Sequence, residues 1–235
     1  LINKYMARVS KRKKVMDTLF EKEKKFSIEE AIKIIQNYKE KCSAKFIESF
    51  DIAIHTGINT QKNETVKGVV ALPHGTGKEV KVAVFSEDAS IVKDIKGAEV
   101  VSLEQLKSGY TNFDTLITIK SSMPNLKSVA KILGPKGLMP NEKLGTVAVD
   151  VADLQKIVTE LLKGRVEFRT DKQANINLRV GRIDFAEAQL KDNILTLLNA
   201  VKLAKPVTTK GNYIVGVTLS STMGVGVRLA LEGIN

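Results

Sequence analysis

Four stretches of this chain carry residue types that do chemistry. His74-Gly75-Thr76-Gly77-Lys78 has the glycine, hydroxyl and lysine of a phosphate-binding loop. The Walker spacing needs Gly, four residues, Gly-Lys, then Ser or Thr to hold magnesium. Here Glu79 follows the lysine, and an acid at that place repels a phosphate. Paired glycines around Thr76 serve instead as a hinge, where large φ/ψ changes are absorbed. Gly134 to Gly145 packs three glycines, two prolines and two lysines into twelve residues. Proline fixes φ and glycine permits positive φ, so the loop is stiff with exposed backbone. It is either a rigid structural loop or a secondary RNA contact through Lys136 and Lys143. Lys45-Phe46-Ile47-Glu48-Ser49 and Ser220-Ser221-Thr222-Met223-Gly224 are plainer patterns. Phe46 suits either stacking on a base or a place in the core. Thr222 offers a hydroxyl, Met223 a flexible apolar contact, and Gly224 a bare backbone that a ribose can approach. Glu48 and Asp51 can accept from base amino groups or from a 2′-OH.

The remaining reactive residues suggest no catalysis. His55 and His74 lack a Ser or Cys partner in any nucleophile pattern, and Cys42 sits at a Lys-rich helix end. One cysteine makes no internal disulfide, and one Cys with two His is too few for structural zinc. No metal or cofactor is therefore expected, and no enzyme. No apolar run approaches the ~18 residues of a membrane span. Lys11-Arg12-Lys13-Lys14 is not followed by an apolar segment, so a secretory signal is not expected. No expectation rests on Leu1 to Tyr5.

The elements that must position these residues follow from hydrophobic period. In 235 residues, 43% are hydrophobic, enough for a real core. Ser27-Ile28-Glu29-Glu30 reads as a capping box opening a helix to about Glu40. Phe46, Phe50, Ile52 and Ile54 face one side of a strand, and Val66 to Leu72 forms another. Beyond Pro73 the pattern changes to short apolar strands, Val80 to Phe85, Ala98 to Val101 and Asp114 to Ile119. These alternate with helices at Asp88 to Lys96, Leu103 to Ser108 and Ser122 to Leu133, as βα units of a parallel sheet do. Val151 to Lys163 is a helix with Leu154, Ile157, Val158, Leu161 and Leu162 inward and Gly164 beyond its end. Strands return at Val166 to Phe168 and Ile176 to Val180, joined by the polar turn Thr170 to Asn175. A long helix from about Asp184 stops before Pro206, and Tyr213 to Leu219 is the last strand.

The outer thirds thus resemble each other and differ from the middle. The expected architecture is a split α+β domain, 1–75 and 165–235, with an α/β domain, 76–164, inserted in it. Gly75, Thr76, Gly77 and Gly164 form the hinge. Charge divides the same way. Lys and Arg outnumber Asp and Glu by 37 to 26, a net +11, which favours a polyanionic partner. The middle piece holds 12 against 11, so nearly all the excess lies on the split domain.

Several segments, in order, make the chain resemble the bacterial-type ribosomal protein L-one family. They are Ala44-Lys45-Phe46 with Glu48, Gly68, Leu72 to Lys78, Asn112-Phe113-Asp114, Ile132 to Asn141, Gly145-Thr146-Val147, Phe168-Arg169 with Asp171-Lys172, Lys205-Pro206 and Ser221 to Gly224. The resemblance implies a hinged pair of domains, the inserted one Rossmann-like. It implies binding of large-subunit ribosomal RNA in the mobile stalk beside the tRNA exit site, release of deacylated tRNA, and repression of the protein's own messenger RNA. No membrane partner and a monomer off the ribosome are expected, in a bacterial cytoplasm, with an organelle's ribosome left open. Carried over as RNA contacts are Lys45, Phe46, Glu48, Ser49 and Asp51 on the first strand, Arg169, Asp171 and Lys172, and Thr222, Met223 and Gly224. The chain departs from the family pattern at Ala174, Asn177 and Gly216, which bears on contacts around Thr170 to Asn177 and Gly216. The other reading is a nucleotide-binding enzyme using the inserted domain, although no Gly-x-Gly-x-x-Gly follows Val80 to Phe85.

Overall fold

The computed structural model describes residues 15, 18, 24–42, 44–58, 65–86, 97–142, 145–206, 209 and 211–230. Lys11 to Lys14, Lys143 and the helix expected at Asp88 to Lys96 lie outside them. In chain order the elements begin with α1 (Ile28–Lys41), β1 (Ser49–Thr56), β2 (Lys67–Ala71), β3 (Val82–Phe85), β4 (Ala98–Val100) and α2 (Leu103–Lys107). Next come β5 (Thr115–Ile119), a run of helical turns from Lys120 to Leu133, β6 (Val147–Ala148), α3 (Val151–Leu162) and β7 (Arg165–Arg169). The last are β8 (Asn175–Arg182), α4 (Glu187–Leu203), β9 (Ile214–Ser221) and β10 (Val227–Arg228). The chain divides into two compact units, Leu1–Val66 with Arg169–Asn235, and Lys67–Phe168. The sequence analysis put these divides at Gly75 and Gly164 instead. β2 and β7 pair with each other, and all of their residues except Arg169 lie in the second unit.

In the first unit, a four-stranded antiparallel sheet runs in the order β10-β9-β1-β8. Phe50, Ile52 and Ile54 of β1, Ile176 and Val180 of β8, and Val217 and Leu219 of β9 are buried on one face. Helices α1 and α4 pack there, burying Ile32, Ile35, Leu190, Ile194 and Leu197. The capping box is as expected. The Ser27 hydroxyl accepts from the Glu30 N–H at 3.3 Å, and Glu30 accepts from the Ser27 N–H at 3.0 Å. Lys39–Asp184 and Lys191–Glu29 bridge the two helical segments at 2.6 Å each, but both pairs are exposed and add little.

In the second unit, β4-β3-β5-β6 form a parallel sheet. One face buries Ala83, Phe85, Leu116, Leu126, Val129 and Leu133, and the other packs Val82, Val84 and Ile117 on Leu154, Val158 and Leu161 of α3. Leu162 is exposed, not inward, because at helical spacing it lies at the edge of the stripe through Leu154, Val158 and Leu161. The helix expected over Ser122 to Leu133 is broken into short α and 3₁₀ turns. Val129, at φ −104°, leaves helical geometry between the last two. Gly164 follows α3 with φ +102°, the left-handed stop that glycine supplies. A Cβ there would lie 2.3 Å from the Gly75 Cα, so the two backbones cross where no side chain fits. Gly68 is equally constrained, since a Cβ on it would meet the buried Phe168 ring at 2.3 Å.

Candidate nucleic-acid interface

Among the described residues, helices pack on one face of the first unit's sheet, and the side chains of the other face are exposed or half-buried. Because strands alternate, the register defines that open face row by row. Asn175, His55 and Gly216 stand abreast, then Asn177, Ala53 and Thr218, then Arg179, Asp51 and Ser220. Ala53, His55, Asn177 and Arg179 are exposed and the others half-buried, except that Arg228 of β10, also exposed, extends the Thr218 row. Apart from Ala53 and Gly216 the face is polar. A Cβ on Gly216 would touch nothing within 4 Å, so the surface is open there. Such a face offers amides, hydroxyls and two guanidiniums to phosphates, sugars and base edges.

At one end of the face lies the Thr222-Met223-Gly224 turn. The Ser49 N–H donates to Thr222 Oγ1 at 2.9 Å, and the Thr222 N–H donates back to the Ser49 carbonyl at 3.2 Å. Glu48 is 2% exposed, and its Oε2 accepts from the Met223 N–H at 3.2 Å. Glu48 thus fixes the turn from below. A Cβ on Gly224 would fall 2.3 Å from Ser221 Oγ, so glycine lets the turn close over that buried hydroxyl. The result presents Met223, 46% exposed, and Phe46, 53% exposed. Phe46 does not face the core with Phe50, as the alternation suggested. β1 begins only at Ser49, so Lys45, Phe46 and Glu48 precede the strand on which they were expected.

At the other end is the Asp171 turn. Asp171 Oδ1 accepts from the Asn175 and Gln173 N–H groups at 2.8 Å each, and these bonds, that of Asn175 foremost, hold its carboxyl below the ordinary range. The turn places Ala174 at φ +62°, where its carbonyl accepts from both the hydroxyl and the N–H of Thr56. Arg169 and Lys172 are exposed beside it. Asp51 is the opposite case. Burial pushes its carboxyl up, and the facing Arg179 pulls it partway back.

The structure thus joins Ser49, Asp51, Asp171, Lys172 and Thr222 to Gly224 through one sheet face. The sequence analysis did not single out Arg179, Thr218 or Arg228, and it weighed His55 for catalysis only. Arg179 was signalled by its place between Leu178 and Val180, Thr218 by its place between Val217 and Leu219, and His55 by its place after Ile52 and Ile54, while Arg228 stands on a strand too short to show a period.

Other expected positions are engaged within the second unit. Lys136 donates to Thr111 Oγ1 at 2.6 Å. Lys78 is held by Asp114 at 2.5 Å, which depresses that carboxyl and occupies the lysine a nucleotide loop would use. A cavity of about 730 Å³ lies near the carboxyl ends of β3 and β4, between Phe85, Val101 and Asn125. No His, Cys or carboxylate is among its described lining residues.

Residues 38–225 match the model of the Ribosomal protein L1p/L10e family. The chain belongs to this family. Relatives support it at nearly full length. A protein of Neisseria gonorrhoeae named large ribosomal subunit protein uL1 is 43% identical over 98% of this chain and 100% of its own. Proteins of the same name from Mesoplasma florum and Coxiella burnetii are 39% and 40% identical, over 97% and 95% of this chain and 100% and 96% of theirs. For a member of the L1p/L10e family, the legible loop at 134–145 and the plainer turn at 221–224 fall within the matched span.

Proposed function

We propose that this protein is a constituent of the large ribosomal subunit that binds large-subunit rRNA through the open face of the β10-β9-β1-β8 sheet. One observation carries the reading. The face runs from the Thr222-Met223-Gly224 turn to the Asp171 turn, on the unit whose 23 Lys and Arg against 14 Asp and Glu carry +9 of the chain's net +11. Met223 and Phe46 supply apolar and stacking contact at one end, while Arg169, Lys172 and Arg179 meet phosphates along it. Glu48 and Asp171 act through the turns they hold, and Ser49 through its bonds to Thr222. The family membership supports the reading, because the relatives are named as large-subunit proteins.

The finer role follows the family resemblance. The protein forms the mobile stalk beside the tRNA exit site and assists departure of deacylated tRNA. It works on cytoplasmic ribosomes, is a monomer off the ribosome, and uses the same face on its own messenger RNA. The split domain, 1–75 and 165–235, is the RNA-binding domain and the inserted domain, 76–164, a Rossmann-like partner, hinged at Gly75, Thr76, Gly77 and Gly164, with Lys136 and Lys143 as secondary contacts. Crosslinking in cells, followed by sequencing of the bound RNA, tests this. Recovery of one large-subunit rRNA region, with the protein's own messenger as a minor species, is expected. Recovery of dispersed, unrelated RNAs would refute it.

A further inference from the structure

Regular alternation along β8 would turn Arg182 toward the helices, in phase with Ile176, Leu178 and Val180. The structure turns it the other way. Phe50 pairs with Gly181 and Asp51 with Arg179, so Val180 is an extra residue in β8. This is a β-bulge, a device that re-aims a side chain. Val180 and Gly181 both become buried, and Arg182 becomes exposed. The bulge is built into the core on both sides. The Val180 carbonyl accepts from Nδ2 of Asn193, a wholly buried residue of α4, at 2.8 Å. A Cβ on Gly181 would lie 2.9 Å from Leu190 and 3.0 Å from Phe185, so only glycine follows the extra residue without displacing them.

The re-aimed residue arrives at a defined place. Arg182 pairs with Ser49, and Ser49 is bonded in both directions to Thr222. Arg182 and Thr222, both exposed, therefore flank the buried Ser49 in a fourth row, directly beside the exposed Met223. Arg179, one row away, shares Asp51. Asp184, two residues on, is taken by Lys39. No carboxylate among the described residues pairs with Arg182.

We propose that Arg182, turned outward by the Val180 bulge, is a phosphate-binding residue that clamps the RNA backbone at the Thr222-Met223-Gly224 turn. The inference rests on the proposed rRNA reading of that face. A planar, permanently charged fork suits a backbone phosphate, and neutralising one phosphate releases about one counterion.

The test uses the full chain and the large-subunit rRNA fragment that the wild-type protein protects from nuclease. Affinity is measured by fluorescence anisotropy across a salt series for wild type, Arg182→Ala and Arg182→Lys, with melting curves for each. Arg182→Ala is expected to melt as wild type does, to bind about tenfold more weakly, and to lose roughly 0.9 from the slope of log K against log salt. Arg182→Lys should keep the slope. The proposal is overturned if Arg182→Ala binds as wild type does, or if it binds more weakly with its slope unchanged. If the wild-type chain protects no fragment at all, the rRNA reading fails first, and the inference fails with it.

Discussion

The two units use glycine for different ends. Among the described residues, seven of the eight glycines at positive φ lie in the second unit and only Gly211 in the first. In the second unit they shape backbone, as at the Gly75–Gly164 crossing and in the 134–145 loop. In the first unit, Gly181, Gly216 and Gly224 lie outside the positive-φ region, and they matter for what stands next to them. A glycine-rich stretch is easy to read in a sequence because it signals backbone demand. The polar face of the first unit holds its chemistry in side chains that ordinary strands present.

If that contrast is right, mutations should separate stability from RNA affinity. The largest effect is expected from Gly164→Val, which forces a side chain into a left-handed conformation and against the Gly75 backbone. It should cost ~3 kcal/mol or more in denaturant unfolding, with RNA affinity per folded molecule unchanged. Loss of affinity in the folded fraction would break the contrast. Next, Met223→Ala and Thr222→Ala should weaken binding of the protected rRNA fragment by ~1–3 kcal/mol in gel-shift titration. Met223→Ala should leave the melting temperature nearly unchanged. Thr222→Ala should lower it as well, because Ser49 loses an acceptor. Wild-type affinity in both would remove the turn from the interface.

Two acids of the first unit, one in a turn and one on a strand, sharpen the contrast through pH. Asp171 has a depressed carboxyl, so its stabilisation is present above the unfolded value of about 3.9 and is lost as pH falls through the lower folded value. Asp171→Asn should therefore melt below wild type at neutral pH and converge with it under acid. Asp51 is raised by burial, so its contribution is present at low pH and lost as pH rises through the folded value. Asp51→Asn should match or exceed wild type at neutral pH. Equal responses from the two variants would mean that burial and turn bonding do not distinguish them. The smallest effect belongs to Lys136→Ala, expected within about 0.5 kcal/mol of wild type in both stability and affinity. A tenfold loss of affinity there would place the loop at 134–145 in the main interface.

Much of the frame was legible because local rules agreed with the fold. The Ser27 cap, the Gly164 stop, the parallel strands and the Pro206 boundary each had a sequence cause that the structure keeps. What was not legible depended on contacts far along the chain. The place of Phe46 depends on where β1 starts, which pairing with β8 and β9 decides. The burial of Glu48 depends on an N–H 175 residues away. The outward turn of Arg182 depends on Asn193 and on tight packing at Gly181. The strand β10 is only two residues long, too short for any period to show. The 120–133 segment has helical spacing, but it is made of short turns that a pattern does not distinguish from one helix.

The strand order has a consequence for synthesis. The second unit is one continuous stretch, Lys67–Phe168, and its sheet pairs strands close in sequence. The central strand of the first unit, made early, has partners only at Asn175–Arg182 and Ile214–Ser221. A chain emerging from its amino terminus can thus fold its middle while β1 still waits for neighbours. The polar face comes into being only after β9 has been made, so a chain ended before Ile214 never presents it.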